Sequence, residues 1–260
     1  MHPVEANPSQ FPQPEQLIGS VRATAAYELV VEQIRKSIFL GRFMPGDKLP
    51  PERDLAEQML VSRTTIREAI RVLEGEGLVS TKRGAGGGLT VLQQNKLTQA
   101  EVEIYIEYQM DLLDSLFEFR IANEAAAARL AAVKRTDAHL EKMRKAVDAM
   151  DAICASAESR SVLTNISRFG AWDSEFHLAI AEASMNEYLL KAVEDSRAAM
   201  FLPVGKVFSR LEDRANEHHQ EILQAIEAKD PDLAAEKMRQ HLEATWESLT
   251  DLVPKARRKK

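Results

Sequence analysis

Residues 49–83 read LPPERDLAEQMLVSRTTIREAIRVLEGEGLVSTKR. Pro50 and Pro51 stop any helix before them, and Pro51 suits the first position of a new helix because it needs no amide donor there. Leu55, Ala56 and Met59 then recur at helical spacing. The break falls at Leu60-Val61-Ser62, and Ser62 is a natural N-cap for a second helix over Arg63–Glu74. Ile66, Ala69, Ile70 and Leu73 form the apolar side of that helix. Its other side, toward the N-terminus, offers Ser62, Arg63, Thr64, Thr65 and Arg67. A buried stripe backed by hydroxyl and guanidinium groups is the arrangement of a helix that reads a major groove, although the same run could be a solvated face.

The following segment favours the first reading. Gly75 and Gly77 end the second helix, Leu78–Thr81 and Leu89–Leu92 read as strands, and Lys82-Arg83-Gly84-Ala85-Gly86-Gly87-Gly88 joins them. Helix, helix and a basic, Gly-rich hairpin make a winged helix-turn-helix. The glycines form no nucleotide-binding fingerprint, because no helix follows to receive a phosphate. A hairpin tip without side chains can instead lie against a sugar-phosphate backbone or in a minor groove. The segment resembles the N-terminal domain of GntR-family bacterial transcription regulators. Leu49–Ala56, Val61–Ile70, Leu73 and Glu76-Gly77-Leu78 carry the resemblance.

At 260 residues the chain suits two domains better than one. Its single cysteine, Cys154, excludes an internal disulfide and a cysteine metal cluster, which fits a reducing cytoplasm. The first residues have no basic-then-apolar layout, and no apolar run reaches membrane-span length, so a soluble, cytoplasmic protein is expected. A net charge of −6 would argue against nucleic acid were it evenly spread. It is not: residues 20–92 hold eleven Lys/Arg against nine Asp/Glu, and residues 93–253 hold eighteen against twenty-nine. A mildly basic segment joined to an acidic one suits a DNA reader attached to something else.

The expected organisation is a disordered leader at 1–18, the winged helix at 19–92 and a linker at 93–97. An all-helical domain at 98–253 and a solvated basic tail at 254–260 complete it. A helix from about Val21 to Leu40 closed by Gly41 precedes the helix-turn-helix, with Tyr27, Val30, Val31, Ile34 and Ile38 on one face. The fold class is mainly α, and about seven helices are expected in the second domain, near 98–108, 111–132, 136–155, 161–184, 187–202, 211–228 and 231–252. Thr136, Ser161 and Asp230 are the expected caps, and Pro203 with Gly205 the expected break between the fifth and sixth.

Asp173 and His177 project from one helix face one turn apart. His219 lies on an inward stripe with Ile222 and Ile226, His218 sits farther from its centre, and His241 lies on the next helix. Three imidazoles and a carboxylate suit a divalent metal at the centre of a bundle, while the same residues could be a surface pair and satisfied core histidines. The domain resembles the effector-binding (FCD) domain of the FadR subfamily, whose members often carry Asp-x-x-x-His and two later histidines as a metal site. That resemblance implies Asp173, His177, His219 and His241 as ligands of zinc, with nickel, manganese or iron as alternatives. It also implies a cavity position for Arg120, which could clamp an effector carboxylate or pair with Glu124, and for Asn186, which could instead cap the following helix.

The expected protein is therefore a homodimeric, effector-responsive transcription regulator, a repressor of a palindromic operator that senses a small organic acid. Arg63, Thr65 and Arg67 would contact bases or adjacent phosphates, Arg53, Ser62 and Thr64 would set register on phosphates, and Arg83 and Gly84 would approach the minor groove. Its rivals are a metal-dependent hydrolase with a DNA-binding appendage and a regulator whose cavity holds no metal.

Overall fold

The computed structural model describes residues 25–82, 84, 87–92, 98–207, 211 and 215–252. The leader, the linker, the basic tail and Arg83 lie outside the described residues.

The N-terminal unit is built on α1 (Ala26–Phe39), α2 (Glu52–Gln58) and α3 (Arg63–Gly75), followed by β1 (Val79–Lys82) and β2 (Gly88–Val91). Val30, Val31, Ile34 and Ile38 of α1 meet Leu55 and Ala56 of α2 and Ile66, Ala69, Ile70 and Leu73 of α3 in one core. Pro51 is the residue before α2 rather than its first residue, a position that still asks for no amide donor. The turn between α2 and α3 pivots on Leu60, whose φ of 53° reverses the chain. Ser62 then caps α3, its hydroxyl accepting from the Thr65 amide at 3.1 Å. Gly77, with φ of 68°, turns the chain out of α3 into a two-stranded antiparallel sheet that pairs Val79 with Val91 and Lys82 with Gly88.

The second unit is all helical among the described residues: α4 (Gln99–Lys134), α5 (Asp137–Cys154), a 3-10 turn at Ser159–Ser161, α6 (Leu163–Ala183), α7 (Glu187–Val207), α8 (Glu217–Glu227) and α9 (Pro231–Thr250). The two helices expected at 98–108 and 111–132 are one helix of 36 residues. No Gly or Pro interrupts it, and its buried side runs unbroken through Val102, Ile106, Leu113, Phe117, Arg120 and Glu124. Pro203 and Gly205 do not end the fifth expected helix, because α7 continues to Val207; a proline forfeits one amide donor, here close to the helix end. Ser161 does not cap α6, since its hydroxyl donates back to the Ala157 carbonyl at 3.0 Å and Val162 takes the cap position. Thr136 and Asp230 do cap α5 and α9. The helix expected from 211 begins at Glu217.

The two units are joined by more than a linker. Leu40, 2% exposed, sits in a groove between α6 and α7 with Leu178, Ala181 and Val193. Lys36 reaches Asp195 at 2.6 Å and Arg42 reaches Glu194 at 2.8 Å. Gly41, with φ of 72°, passes so close to α6 that a Cβ there would lie 2.3 Å from the Ala171 Cβ. Gly41→Ala is therefore expected to destabilise the chain by about 1–3 kcal/mol through overpacking and left-handed strain. An unchanged urea midpoint would show that the seat yields freely.

Candidate functional site

The inward face of α6 carries Asp173 and His177, α8 brings His219, and α9 brings His241. Phe176, Ile180, Ile222, Ile226, Met238 and Leu242 belong to the core around them. The three helices thus bury their apolar stripes and turn toward a common point a carboxylate and an imidazole from α6 and one imidazole each from α8 and α9. The four donor atoms all lie within 4.8 Å of one another. His177 Nε2 is 3.2 Å from His241 Nε2, His219 Nε2 is 2.9 Å from Asp173 Oδ1, and His177 Nε2 is 3.6 Å from the same oxygen. Zinc binds such nitrogens and oxygens at about 2.0–2.2 Å, so neighbouring ligands on one ion sit roughly 3–4 Å apart. Donor set and spacing both fit a divalent cation. His219 is buried within the cluster, whereas His218 is only half-buried and is not one of the four.

The surrounding shell prepares these ligands. Glu124, buried on α4, accepts from His177 Nδ1, which leaves the Nε2 lone pair facing the cluster. Burial alone would raise the Glu124 pKa, but Arg120 and His177 outweigh it and hold the carboxyl at about 2. Asp173 is likewise raised by burial but pulled well below the usual carboxylate range by Arg197, His177 and His219. Burial pushes His219 and His241 below the ordinary imidazole value, Asp173 opposing this at His219, while His219 and His177 add to it at His241. His219 and His241 are thus biased toward the neutral form that a metal would require. Glu124→Gln is expected to weaken metal binding by about 10–100-fold, measured by chelator competition.

The same shifts set a pH dependence for the chelated chain. The unfolded histidines protonate near 6.5, whereas folded His219 and His241 protonate only at lower pH. The unfolded state therefore binds more protons as pH falls below about 6.5, and stability falls with it. Thermal midpoints of the chelated chain should be flat from pH 8 to 7 and drop between 6.5 and 5.

Arg120 pairs with Glu124 at 2.6 Å, as the ion-pair alternative required, yet its Nη2 remains buried without a partner. Asn186 takes its capping alternative: its Oδ1 accepts from the amides of Tyr188 at 3.1 Å and Leu189 at 3.3 Å at the start of α7. Sequence reasoning missed Arg197, which pairs with Asp173 and donates to the Ser174 hydroxyl at 3.0 Å. The available signal was a cation at an inward position of α7, between Val193 and Met200.

On the N-terminal unit, Arg63, Thr64 and Arg67 are exposed along α3 and Thr65 is half-buried. The Ser62 hydroxyl is engaged with the Thr65 amide and lies 2.9 Å from the Thr65 hydroxyl. Arg67 Nε is 2.8 Å from Glu52, Arg63 lies 4.0 Å from the same carboxylate, and Arg53 pairs with Asp54 at 3.0 Å. Gly84 holds a φ of 101° at the hairpin tip, a conformation that favours glycine. Arg71, exposed one turn beyond Arg67, extends the basic line.

A capped helix-turn-helix with a wing, joined to a helical bundle with a buried polar centre, defines a DNA-binding transcription regulator with a sensing domain. Comparison with known proteins agrees. Residues 26–88 match the family model "Bacterial regulatory proteins, gntR family", and residues 115–244 match that of the FCD domain. The chain belongs to the gntR family of bacterial transcription regulators, in its FCD-containing form. It is 34% identical over 210 residues to the HTH-type transcriptional regulator LutR of Bacillus subtilis, covering 78% of this chain and 91% of that protein. It is 32% identical over 243 residues to the Uxu operon transcriptional regulator of Escherichia coli, covering 90% of each. The solved structure of E. coli McbR/YncC shares the fold, with a TM-score of 0.53 at 18% identity, covering 88% of this chain and 99% of that one. The chain is thus a regulator and not an enzyme, which removes the hydrolase reading. Among the described residues, no helix is long and apolar enough to cross a membrane.

Proposed function

We propose that the chain is a cytoplasmic, metal-containing repressor that binds a palindromic operator as a homodimer and responds to a small organic acid. The observation that carries the sensing part is the convergence of Asp173, His177, His219 and His241 with a buried, partly unpaired Arg120 beside them. Those four residues would hold the metal, with zinc the first candidate and nickel, manganese and iron sharing the same donors. A bound divalent cation would supply an electrophilic anchor for a carboxylate or hydroxyl oxygen. Arg120 would clamp the acid, and Asn186 would contribute by fixing the start of α7, which carries Arg197.

Arg63, Thr65 and Arg67 would read bases or adjacent phosphates, with Arg53, Ser62 and Thr64 setting register and Arg83 and Gly84 at the wing. By linkage, an effector that favours the non-binding arrangement must bind more weakly when operator is present. Selection of bound sequences from random DNA with the full chain tests this reading. A symmetric consensus bound by two copies, released by an organic acid, supports it. An asymmetric site bound by one copy, or release by no organic acid, overturns the corresponding part. A regulator without metal has its own support, because Asp173 already pairs with Arg197 and His219; absence of metal from protein purified without chelator would establish it.

A further inference from the structure

Two buried guanidiniums flank the cluster, and neither is fully used. Arg120 is 1% exposed and spends Nε on Glu124 and Nη1 on the Met200 sulfur at 2.6 Å, leaving Nη2 without a partner. Arg197 is 7% exposed and spends Nη2 on Asp173 and Ser174, leaving Nε without a partner. The two cations are close enough to repel one another, and both sense Asp173. A buried guanidinium with an idle donor is costly unless an acceptor arrives. Two of them on different helices, α4 and α7, call for two acceptor groups.

Charge counting gives the same result. The Asp173 and Glu124 carboxylates balance the Arg120 and Arg197 guanidiniums, and an imidazole that coordinates a metal through Nε2 carries no charge. A divalent cation on the four ligands then leaves an excess of two positive charges in a site almost closed to water. Asp173 is its most exposed ligand, with 20% of its side chain accessible, against 1% or less for His177 and His219. Excess buried charge of this size is neutralised by whatever binds there.

We infer that the effector is a dianion with two acid groups, one engaging Arg120 and the metal and the other engaging Arg197, which therefore sets specificity. This rests on the metal-containing reading above. A monocarboxylate would leave one guanidinium idle and one charge uncancelled.

The test is calorimetric titration of the zinc-loaded full chain with malonate, succinate, glutarate and tartrate, each against its monoamide, which keeps the shape and removes one charge. At least one dianion should bind tenfold or more tightly than its monoamide. Arg197→Met should collapse that ratio toward one, and Arg197→Lys, which keeps the charge but loses the planar fork, should restore part of it. Circular dichroism on each variant separates a lost ligand contact from a lost fold, and the Lys variant carries the test if the Met variant does not fold. Equal binding of dianions and monoamides, or no binding of any dianion to protein carrying one zinc, overturns the inference while leaving the metal site intact. Protein that takes up no zinc overturns the metal reading, and the inference falls with it because the charges then already balance.

Discussion

His219→Ala is expected to abolish stoichiometric metal binding and to remove the stability that metal confers. His219 contributes one of three imidazoles from the shortest helix around the site, and its Nε2 lies 2.9 Å from the Asp173 carboxylate that shares the cluster. The three remaining donors on α6 and α9 would leave one coordination position unfilled and a buried gap in its place. A ligand present at a thousand times its dissociation constant stabilises a fold by about 4 kcal/mol. For a domain of this size that is roughly a 10 °C shift in melting temperature. Elemental analysis and melting curves of wild-type and variant, with and without chelator, measure both effects. A variant that keeps one metal per chain, or a wild type whose melting temperature ignores the chelator, would sink the assignment of His219.

Arg67→Ala should weaken operator binding by about 1–3 kcal/mol, roughly fivefold to 150-fold, and relax the base preference at the position Arg67 would read. The structure adds a second arm. Arg67 is held by Glu52 of α2 at 2.8 Å, so DNA must first win the guanidinium from a carboxylate. Half-exposed pairs of this kind contribute only about 0.2–1 kcal/mol, so the competition is weak and reversible. Glu52→Gln should therefore tighten DNA binding several-fold, with little gain in base preference, because a negative charge near the phosphates is also removed. Fluorescence anisotropy with the selected operator and a scrambled duplex reads both variants. Equal loss on the two duplexes in Arg67→Ala would make Arg67 a phosphate contact and not a reader.

The N-terminal unit was legible because its signals are local. The Ser62 cap, the Leu60 reversal and the apolar side of α3 each depend on neighbours within a turn or two, and the glycines mark the exits. The four-residue cluster was legible for a related reason, since residues on inward stripes of an all-α bundle have few other places to point. What could not be read was set by distant partners. A break in α4 was expected where the residues carry no helix-breaking chemistry, and long packing against α9 keeps the helix whole. Arg197 lies 24 residues from Asp173, and nothing in α7 alone announces which carboxylate it meets. Glu124 was visible only as a partner for Arg120, and its hold on His177 crosses 53 residues. The seat of Leu40 and Gly41 against α6 and α7 has no local signature, because it joins two independently patterned units.

That seat has a geometric consequence. A DNA reader on a loose tether can stretch to fit variable spacings between half-operators, but here the recognition helix is anchored through α1 to the body that carries the ligand cluster. In any two-fold assembly of this chain the separation and tilt of the two recognition helices are therefore dictated by how the helical bodies pack together. In such an assembly, half-site spacing would be a ruler engraved in the C-terminal half, and residues far from DNA would help choose which operator is read.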